Sequence, residues 1–190
     1  KASAETFAEC YHHLGAHEFT AEPSSPARLS WCEPSHPGWT YCHGPRNPDP
    51  KFQSMARNAF GDLMEFPNLE PRENDGINLY IIYPGNLLSL QRRRVNCFSQ
   101  IPIAPNRTIW HFTSLVSEEA ANDPDVAAKV AKAREGFHRV NNEDIWVNEL
   151  QQRGAESTFA RIGRLSHHEL TVWDLANYIR TMVKRHLEIQ

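Results

Sequence analysis

The sequence contains little cysteine, no long apolar run and no excess of basic residues. Its four cysteines lie at irregular positions among 190 residues and form no disulfide framework, which is usual for a reducing compartment. The longest apolar stretch, around Ile77–Tyr83, is too short to span a bilayer, and no cleavable signal is recognisable. We therefore expect a cytoplasmic protein with no membrane partner.

The charge balance argues against a nucleic-acid partner. Twenty Lys and Arg residues stand against 23 Asp and Glu residues, a formal net charge of −3. The run Arg92-Arg93-Arg94 is too short to form a basic surface, and we expect it at a solvated strand edge or a subunit contact. With 40% hydrophobic and 23% charged residues, the chain is long enough for one core. We predict a single domain over residues 1–190.

The first two thirds of the chain predict one helix and then strands. A helix is expected over Ala2–His12, followed by ordered irregular chain with a possible hairpin in the proline-rich stretch Pro23–Pro50. Apolar and alternating patterns then predict strands over Ile77–Tyr83, over Leu87–Ile103 with a bend, and over Thr108–Val116. These strands suggest an antiparallel meander.

The last third predicts helices. Asp123-Pro124 opens one that runs to about Val140, and Asn141 or Asn142 is expected to cap the next. Ser166, with Glu169 three residues later, forms a capping box for a helix to about Leu187. The residues of that helix available for burial are Leu170, Trp173, Leu175, Ile179, Met182 and Val183. Strands followed by helices indicate an α+β fold.

A carboxylate and three histidines stand close together near the start of the chain. His12 follows Glu9 by three residues, and His17 follows His12 by five. Five residues of an ideal helix advance about 500°, so the two rings would point about 140° apart and could not share an ion. A metal site therefore requires the helix to break or widen, and Gly15 is the expected place. The alternative is a helix end whose terminal carbonyls are stabilised by imidazolium.

These residues resemble the iron-binding motif of the Rieske-type ring-hydroxylating oxygenases, in the catalytic domain of their alpha subunit. The family pattern is Trp-Lys-x-x-x-Glu-Asn-Phe-x-Glu-Cys-Tyr-His-x-x-x-x-His. This sequence departs from it at Thr6 and lacks the leading Trp because it starts at Lys1. The matching residues are Lys1, Glu5, Phe7, Glu9, Cys10, Tyr11, His12 and His17.

A second family motif supplies a carboxylate from a later helix. It reads Glu-Asp-Ile-x6-Gln-x-Gly and is met here by Glu143, Asp144, Ile145, Gln152 and Gly154. Two shorter segments, Tyr83–Leu88 and Leu165–Glu169, also look like family sequences, so the resemblance covers nearly the whole chain. Acidic residues in the first turn of a helix, where Glu143 and Asp144 were expected, also have an ordinary structural role.

The resemblance implies a fold, a metal and its ligands. The fold is helix-grip (START/Bet v1-like), a curved antiparallel sheet around a long C-terminal helix with a cavity between them. His12, His17 and Asp144 would hold one mononuclear Fe(II), a two-histidine, one-carboxylate set typical of non-haem oxygenases. Glu9 would hydrogen-bond His12 and bridge it to a Rieske cluster of the neighbouring subunit, while His13 is interpreted as structural or pocket-lining.

The family's Rieske [2Fe-2S] cluster has no ligand set in this sequence. Its ligands form a Cys-x-His followed by a Cys-x-x-His, a pair that is absent here. The spacing of Cys32, His36, Cys42 and His43 fits neither that cluster nor a usual zinc finger, and we interpret them as loop residues. We expect a catalytic domain from a longer alpha subunit, a homotrimer whose cluster lies in a neighbouring subunit and is reduced by a reductase or ferredoxin.

Four functions remain open for the substrate site. Hydroxylation of an aromatic ring with dioxygen is favoured because it is the commoner family activity. Oxidation of a quaternary amine of the carnitine, choline or betaine kind is the alternative, since aromatic side chains attract such cations. A non-redox helix-grip ligand carrier and a zinc hydrolase are hypotheses from other classes.

Overall fold

The structure is a computed structural model, and it describes residues 1–34, 36–52, 62–161 and 163–189. Six strands form one sheet in the order β1-β2-β3-β4-β5-β6, and every neighbouring pair is antiparallel. The strands are β1 Trp31–Cys32, β2 Trp39–Gly44, β3 Ile77–Ile82, β4 Asn86–Gln91, β5 Arg94–Ala104 and β6 Arg107–Leu115.

Helices surround this meander. The described α-helices are α1 Ala2–Phe7, α2 His13–Ala16, α3 Pro71–Asn74, α4 Glu118–Ala121, α5 Val126–Ala155 and α6 Leu170–Ile189. Short 3-10 turns lie at Ala27–Leu29 and His167–Glu169. This arrangement confirms the predicted α+β helix-grip class. No helix in the described part of the chain is long and apolar enough to cross a membrane.

The sheet has more strands than the sequence predicted. The segment Leu87–Ile103 is two strands, β4 and β5, joined by a two-residue turn at Arg92-Arg93 that pairs Gln91 with Arg94. That turn contains neither Gly nor Asn, so the usual sequence signal of a tight hairpin was missing. The expected hairpin in the proline-rich stretch is confirmed by the pairing of β1 with β2.

Two helix boundaries differ from the predictions. The first helix ends at Phe7 instead of His12, because the Glu9 carboxylate accepts the backbone N–H of His12 at 2.9 Å and so favours a turn. The predicted cap at Asn141 or Asn142 is wrong, since α5 continues through both residues. Packing of its Phe137 against Phe112, with ring centroids 4.3 Å apart, outweighs the weak helix propensity of asparagine.

The capping box predicted at Ser166 is present, but it caps the 3-10 turn His167–Glu169, and α6 itself begins at Leu170. Ser166 and Glu169 form a capping box, in which the Ser166 N–H donates to the Glu169 carboxylate at 2.6 Å. Leu175 on this helix is buried in the main core. The sequence offered all the apolar residues of this helix for burial. That expectation was too broad, because the helix buries only one stripe of its surface. Its half-exposed or exposed members are Trp173, Met182 and Val183.

The main core lies between the sheet and the helices α1 and α6. Its fully buried members are Ala4, Ala8, Ile81, Leu87, Phe98 and Leu175. A hydrogen bond of 2.5 Å from Thr171 Oγ1 to the Ala8 carbonyl ties α6 to the end of α1. A second small cluster of Cys10, Cys42 and Leu79 continues the core beneath the turn that carries His12.

Candidate metal centre

The chain places the two candidate histidines on either side of a single helical turn. His12 is the residue before α2, and His17 is the residue after it. The angular mismatch expected for one helix therefore disappears, because neither histidine lies inside the helix. The predicted break at Gly15 is wrong: Gly15 lies within α2 and has open space around it. The ring centroids of His12 and His17 are 5.0 Å apart.

Asp144 reaches this pair from the long helix α5. Its Oδ1 lies 3.0 Å from His17 Nε2 and 3.5 Å from His12 Nε2. The three side chains offer ligand atoms that all lie within 4.8 Å of one another, and no other such group occurs in the described ranges. The structure thus brings together the three predicted ligands, although they come from opposite ends of the sequence.

Each histidine is held from behind by a second carboxylate. His12 Nδ1 lies 2.9 Å from Glu9 Oε1, and His17 Nδ1 lies 2.6 Å from Glu143 Oε2. Glu143 also accepts a hydrogen bond of 2.5 Å from Thr20 Oγ1. A carboxylate on Nδ1 fixes a proton there, so that in the neutral ring the lone pair is on Nε2, the atom that faces Asp144 and is available to a metal ion.

This donor set fits a divalent transition metal. Ligand bonds of about 2.1 Å at right angles would place neighbouring ligand atoms about 3 Å apart, close to the observed Nε2 to Oδ1 distances. The outer carboxylates supply the supporting hydrogen bonds that metal-bound histidines require. Nitrogen and oxygen ligands of this kind suit Fe(II), and they also accept Zn²⁺.

The electrostatics of the metal-free cluster show strong coupling between its charges. Burial opposes a charge on His12, but hydrogen bonds and charges from Asp144 and Glu9 raise the pKa of His12 to about 9. Burial likewise opposes a charge on Asp144, yet His12 and His17 lower the pKa of its carboxyl to about 2. Without metal, a proton therefore occupies the position between His12 and Asp144 at neutral pH.

His13 has a structural role in this arrangement. Its Nδ1 lies 3.0 Å from the Ser25 carbonyl oxygen, which engages this ring nitrogen. Burial and the neighbouring His12 and His17 lower the pKa of His13 to about 3, so the ring is neutral. His13 also lines the cavity beside the cluster, as the sequence predicted.

A cavity of about 300 Å³ opens beside the three ligands, and its wall includes His12, His17 and Asp144. Part of the wall is apolar: Phe98 contacts Trp110 and Phe137 at ring centroid distances of 5.4 and 5.7 Å. This volume suits a small organic molecule.

The cysteines and histidines of the proline-rich stretch do not form a site. Cys32 pairs with Cys42 across β1 and β2, so both lie in strands and not in the expected loop. His36 stacks on Trp39 with ring centroids 3.7 Å apart, and His43, also in β2, bonds to Asn78. Cys32 and Cys42 therefore contact each other, whereas the two histidines are engaged by other residues, and no group of three metal ligands forms here among the described residues.

Two site features were missed from the sequence. Glu143 was expected only as an acidic residue of a first helical turn, yet it contacts His17 in the middle of α5. Arg94 was expected at a solvated edge or a subunit contact, yet it is only 7% exposed and lines the cavity. The family spacing of Asp144 could have pointed to its neighbour Glu143, whereas no local signal marked Arg94.

Comparisons with known proteins place the chain in a family. Residues 1–185 match the family described as ring hydroxylating alpha subunit (catalytic domain). No curated protein matches the sequence.

Two solved structures share the fold. One is the quaternary ammonium Rieske monooxygenase CntA with the inhibitor MMV12, at TM-score 0.58 and 15% identity over 94% of this chain and 46% of that chain. The other is a quaternary ammonium Rieske monooxygenase described for carnitine oxidation by gut microbiota and inter-subunit electron transfer, at TM-score 0.60 and 17% identity over the same shares. This chain thus spans about half the length of either protein. Because the family match covers nearly every residue, the chain belongs to the ring hydroxylating alpha subunit family, as a catalytic domain of the Rieske non-haem iron oxygenase class.

Proposed function

We propose that this domain hydroxylates an aromatic ring with dioxygen at a mononuclear Fe(II) held by His12, His17 and Asp144. The observation that carries the proposal is the convergence of two Nε2 atoms on Asp144 Oδ1, with Glu9 and Glu143 behind the rings. When bound, the ion would supply the binding and reductive activation of dioxygen, chemistry associated with this ligand set.

The protein's own residues would orient the ligands and the substrate. Glu9 and Glu143 hold the Nδ1 protons of the two histidines and thereby aim both Nε2 atoms inward. Phe98, Trp110 and Phe137 form an apolar wall against which an aromatic ring would pack. The same wall would exclude water from the reacting ring.

The reaction requires electrons from outside this chain. Hydroxylation of one C–H bond by dioxygen consumes two electrons and two protons and releases water. The sequence contains no ligand set for a [2Fe-2S] cluster. We therefore place the electron source in the Rieske domain of a neighbouring subunit of a homotrimer, fed by a reductase or ferredoxin, with Glu9 as the contact to His12.

Oxidation of a quaternary amine is the second candidate function. Both structural neighbours above are quaternary ammonium Rieske monooxygenases. The faces of Phe98 and Trp110 in the cavity wall would attract a trimethylammonium group. The description of the matching family as ring hydroxylating favours the aromatic substrate.

Metal analysis after anaerobic purification tests the site. We expect about one iron for each chain, and Ala substitution of His12, His17 or Asp144 should lower iron affinity by at least about a hundredfold. His138→Ala is the matched control, because His138 is an exposed histidine on the helix that carries Asp144. Full iron retention in both His17→Ala and Asp144→Ala would overturn the ligand assignment. Retained zinc would favour the hydrolase, and absence of any metal would favour the ligand carrier.

Peroxide tests the reaction without a cluster domain. Hydrogen peroxide brings both the oxygen and the electrons, so the iron-loaded protein should hydroxylate an aromatic substrate without a cluster domain, with one peroxide consumed and one water released for each product. Carnitine serves as the competing quaternary amine substrate. Exclusive conversion of carnitine would replace the aromatic assignment with the second candidate.

A further inference from the structure

Two cysteines lie directly opposite each other on the first pair of strands. Cys32 of β1 pairs with Cys42 of β2 in the antiparallel register, and both thiols are free. The next pair along this register is hydrogen-bonded, because the Glu33 N–H donates to the Tyr41 carbonyl at 3.2 Å. Hydrogen-bonded and non-hydrogen-bonded pairs alternate along antiparallel strands, so Cys32 and Cys42 form a pair of the second kind. The side chains of such a pair approach each other most closely.

The geometry of this pair suits a disulfide bond. Opposite Cα atoms in a non-hydrogen-bonded pair are about 4.5 Å apart, within the range of about 4.4 to 6.8 Å that a disulfide spans. The side chain of Cys42 also hydrogen-bonds that of Cys32, and this contact, together with burial, raises the pKa of the Cys32 thiol. Rotation of the two side chains is therefore enough to join the sulfurs, and neither strand has to move.

The two thiols differ in how a reagent can reach them. Cys42 is only 1% exposed, whereas Cys32 is partly exposed. The Cys32 sulfur lies 3.6 Å from the carbonyl oxygen of His168 and 3.9 Å from Thr171 Oγ1, at the start of α6. A small reagent can therefore react with Cys32 first, and Cys42 is then the thiol placed to react with the modified sulfur.

The other two cysteines provide an alternative partner and a control. Cys10 is fully buried and packs in the same small core cluster as Cys42, so it competes with Cys32 for that thiol. Cys97 is also a free cysteine, and its cross-strand neighbours are Leu88 and Thr113. Because neither neighbour is a cysteine, Cys97 reports the behaviour of a thiol without a cross-strand thiol partner.

We propose that Cys32 and Cys42 are a reversible redox pair, which a low-molecular-weight disulfide such as oxidised glutathione converts to a cross-strand disulfide. The Cys32 thiolate attacks the reagent, one glutathione thiol leaves, and a mixed disulfide forms on Cys32. The Cys42 thiol then loses its proton and attacks the Cys32 sulfur, which releases the second glutathione thiol. The protein gives up two electrons and two protons, and the reagent takes them up as two thiols. This chemistry needs no metal and is independent of the proposed function.

Peptide masses after equilibration with oxidised and reduced glutathione test the pair. The protein is kept metal-free with a chelator, in mildly alkaline buffer that increases the thiolate fraction, and is then alkylated and digested with trypsin. Trypsin leaves Cys32 and Cys42 in one peptide, residues 29–46, whereas Cys10 falls in residues 2–28 and Cys97 in residues 95–107. We expect the peptide 29–46 to escape alkylation and to be two hydrogens lighter than its dithiol form. Cys97 should form at most a mixed disulfide with glutathione.

The unfolded chain supplies the reference value, because two cysteines close in sequence form some disulfide even without structure. We expect the folded protein to favour the Cys32–Cys42 disulfide by at least about tenfold over the same chain in urea, since the strand pairing holds the thiols together. Equal or weaker formation in the folded protein would overturn the proposal. A cross-link between the peptides 2–28 and 29–46 as the main product would also overturn it, because the partner of Cys42 would then be Cys10.

Three serine variants locate the bond. Cys32→Ser and Cys42→Ser should each abolish the two-hydrogen loss from the peptide 29–46, and Cys97→Ser should leave the equilibrium unchanged. Circular dichroism and melting temperature confirm that each variant is folded. If Cys42→Ser does not fold because its side chain is buried, Cys32→Ser still decides, since its side chain is partly exposed. An equilibrium shifted equally by Cys97→Ser and by Cys32→Ser would contradict the assignment.

Discussion

The two charged regions of the cavity are built in opposite ways. At the metal centre, each of the two candidate ligand histidines faces carboxylates on both ring nitrogens, and those carboxylates come from positions as far apart as Glu9 and Asp144. On the cavity floor, Arg94 and Asn96 come from one strand, and Ser89 comes from its hairpin partner. In the first region, a proton lies between His12 and Asp144, and a metal ion must displace that proton to bind.

The largest expected difference between the two regions is in pH dependence. The raised pKa of His12, about 9, means that a metal ion must displace a proton from this ring at lower pH. Iron affinity should therefore fall about tenfold for each unit below pH 9, or about a thousandfold by pH 6. The groups that face the His12 ring are Glu9, Asp144, His13 and His17.

The raised pKa of His12 also determines how this residue's contribution to the stability of the metal-free protein changes with pH. A raised His12 pKa contributes stability that is fully present below pH 6.5 and is lost as pH rises through about 9. The pKa of Asp144, about 2, keeps its carboxylate charged over this whole range. Arg94 stays protonated over the same range. Chelator competition under anaerobic conditions measures iron affinity, and a flat profile would contradict the proton competition.

Glu9 and Glu143, the carboxylates behind the two histidines, are expected to have different effects on electron transfer. Glu9 is nearly buried and accepts both the backbone N–H and the Nδ1 proton of His12. In an enzyme that includes the cluster domain, Glu9→Gln should slow electron transfer to iron by about tenfold to a hundredfold, because a neutral amide replaces the bridging charge. Stopped-flow oxidation of the pre-reduced cluster measures this rate, with the exposed Glu18→Gln as control. Parental rates in Glu9→Gln at saturating iron would leave Glu9 only a positioning role.

Sequence patterns predicted the features of this protein that depend on nearby residues. The capping box at Ser166 and Glu169 formed as expected because both partners lie within one turn. The three candidate ligands were found through family motifs, and the structure places them together. Neither helical geometry nor helix propensity could by itself have identified Asp144 as a candidate ligand.

The failures came from side-chain contacts and strand pairing that the sequence patterns did not reveal. The break assigned to Gly15 was wrong because the Glu9 side chain ends α1 before His12. The cap assigned to Asn141 or Asn142 was wrong because aromatic packing across the sheet holds α5 straight through both. The prediction that Arg94 lies at a solvated edge or a subunit contact was wrong, because its burial depends on the register of the β4 and β5 hairpin. No residue of the turn signals that register.

The smallest expected effect concerns Glu143, the outer carboxylate of His17. Glu143→Gln keeps an oxygen that can accept the Nδ1 proton at the observed 2.6 Å but loses its charge, so iron affinity should fall only about tenfold. Electron transfer at saturating iron should not change, because Glu143 contacts His17 and not His12. Glu149→Gln, on the exposed face of the same helix, is the matched control. Thr20→Val removes the hydroxyl that donates to Glu143 at 2.5 Å and should reproduce a smaller part of the loss. An effect of Glu143→Gln on electron transfer equal to that of Glu9→Gln would show that the two carboxylates act alike, and the distinction between them would fail.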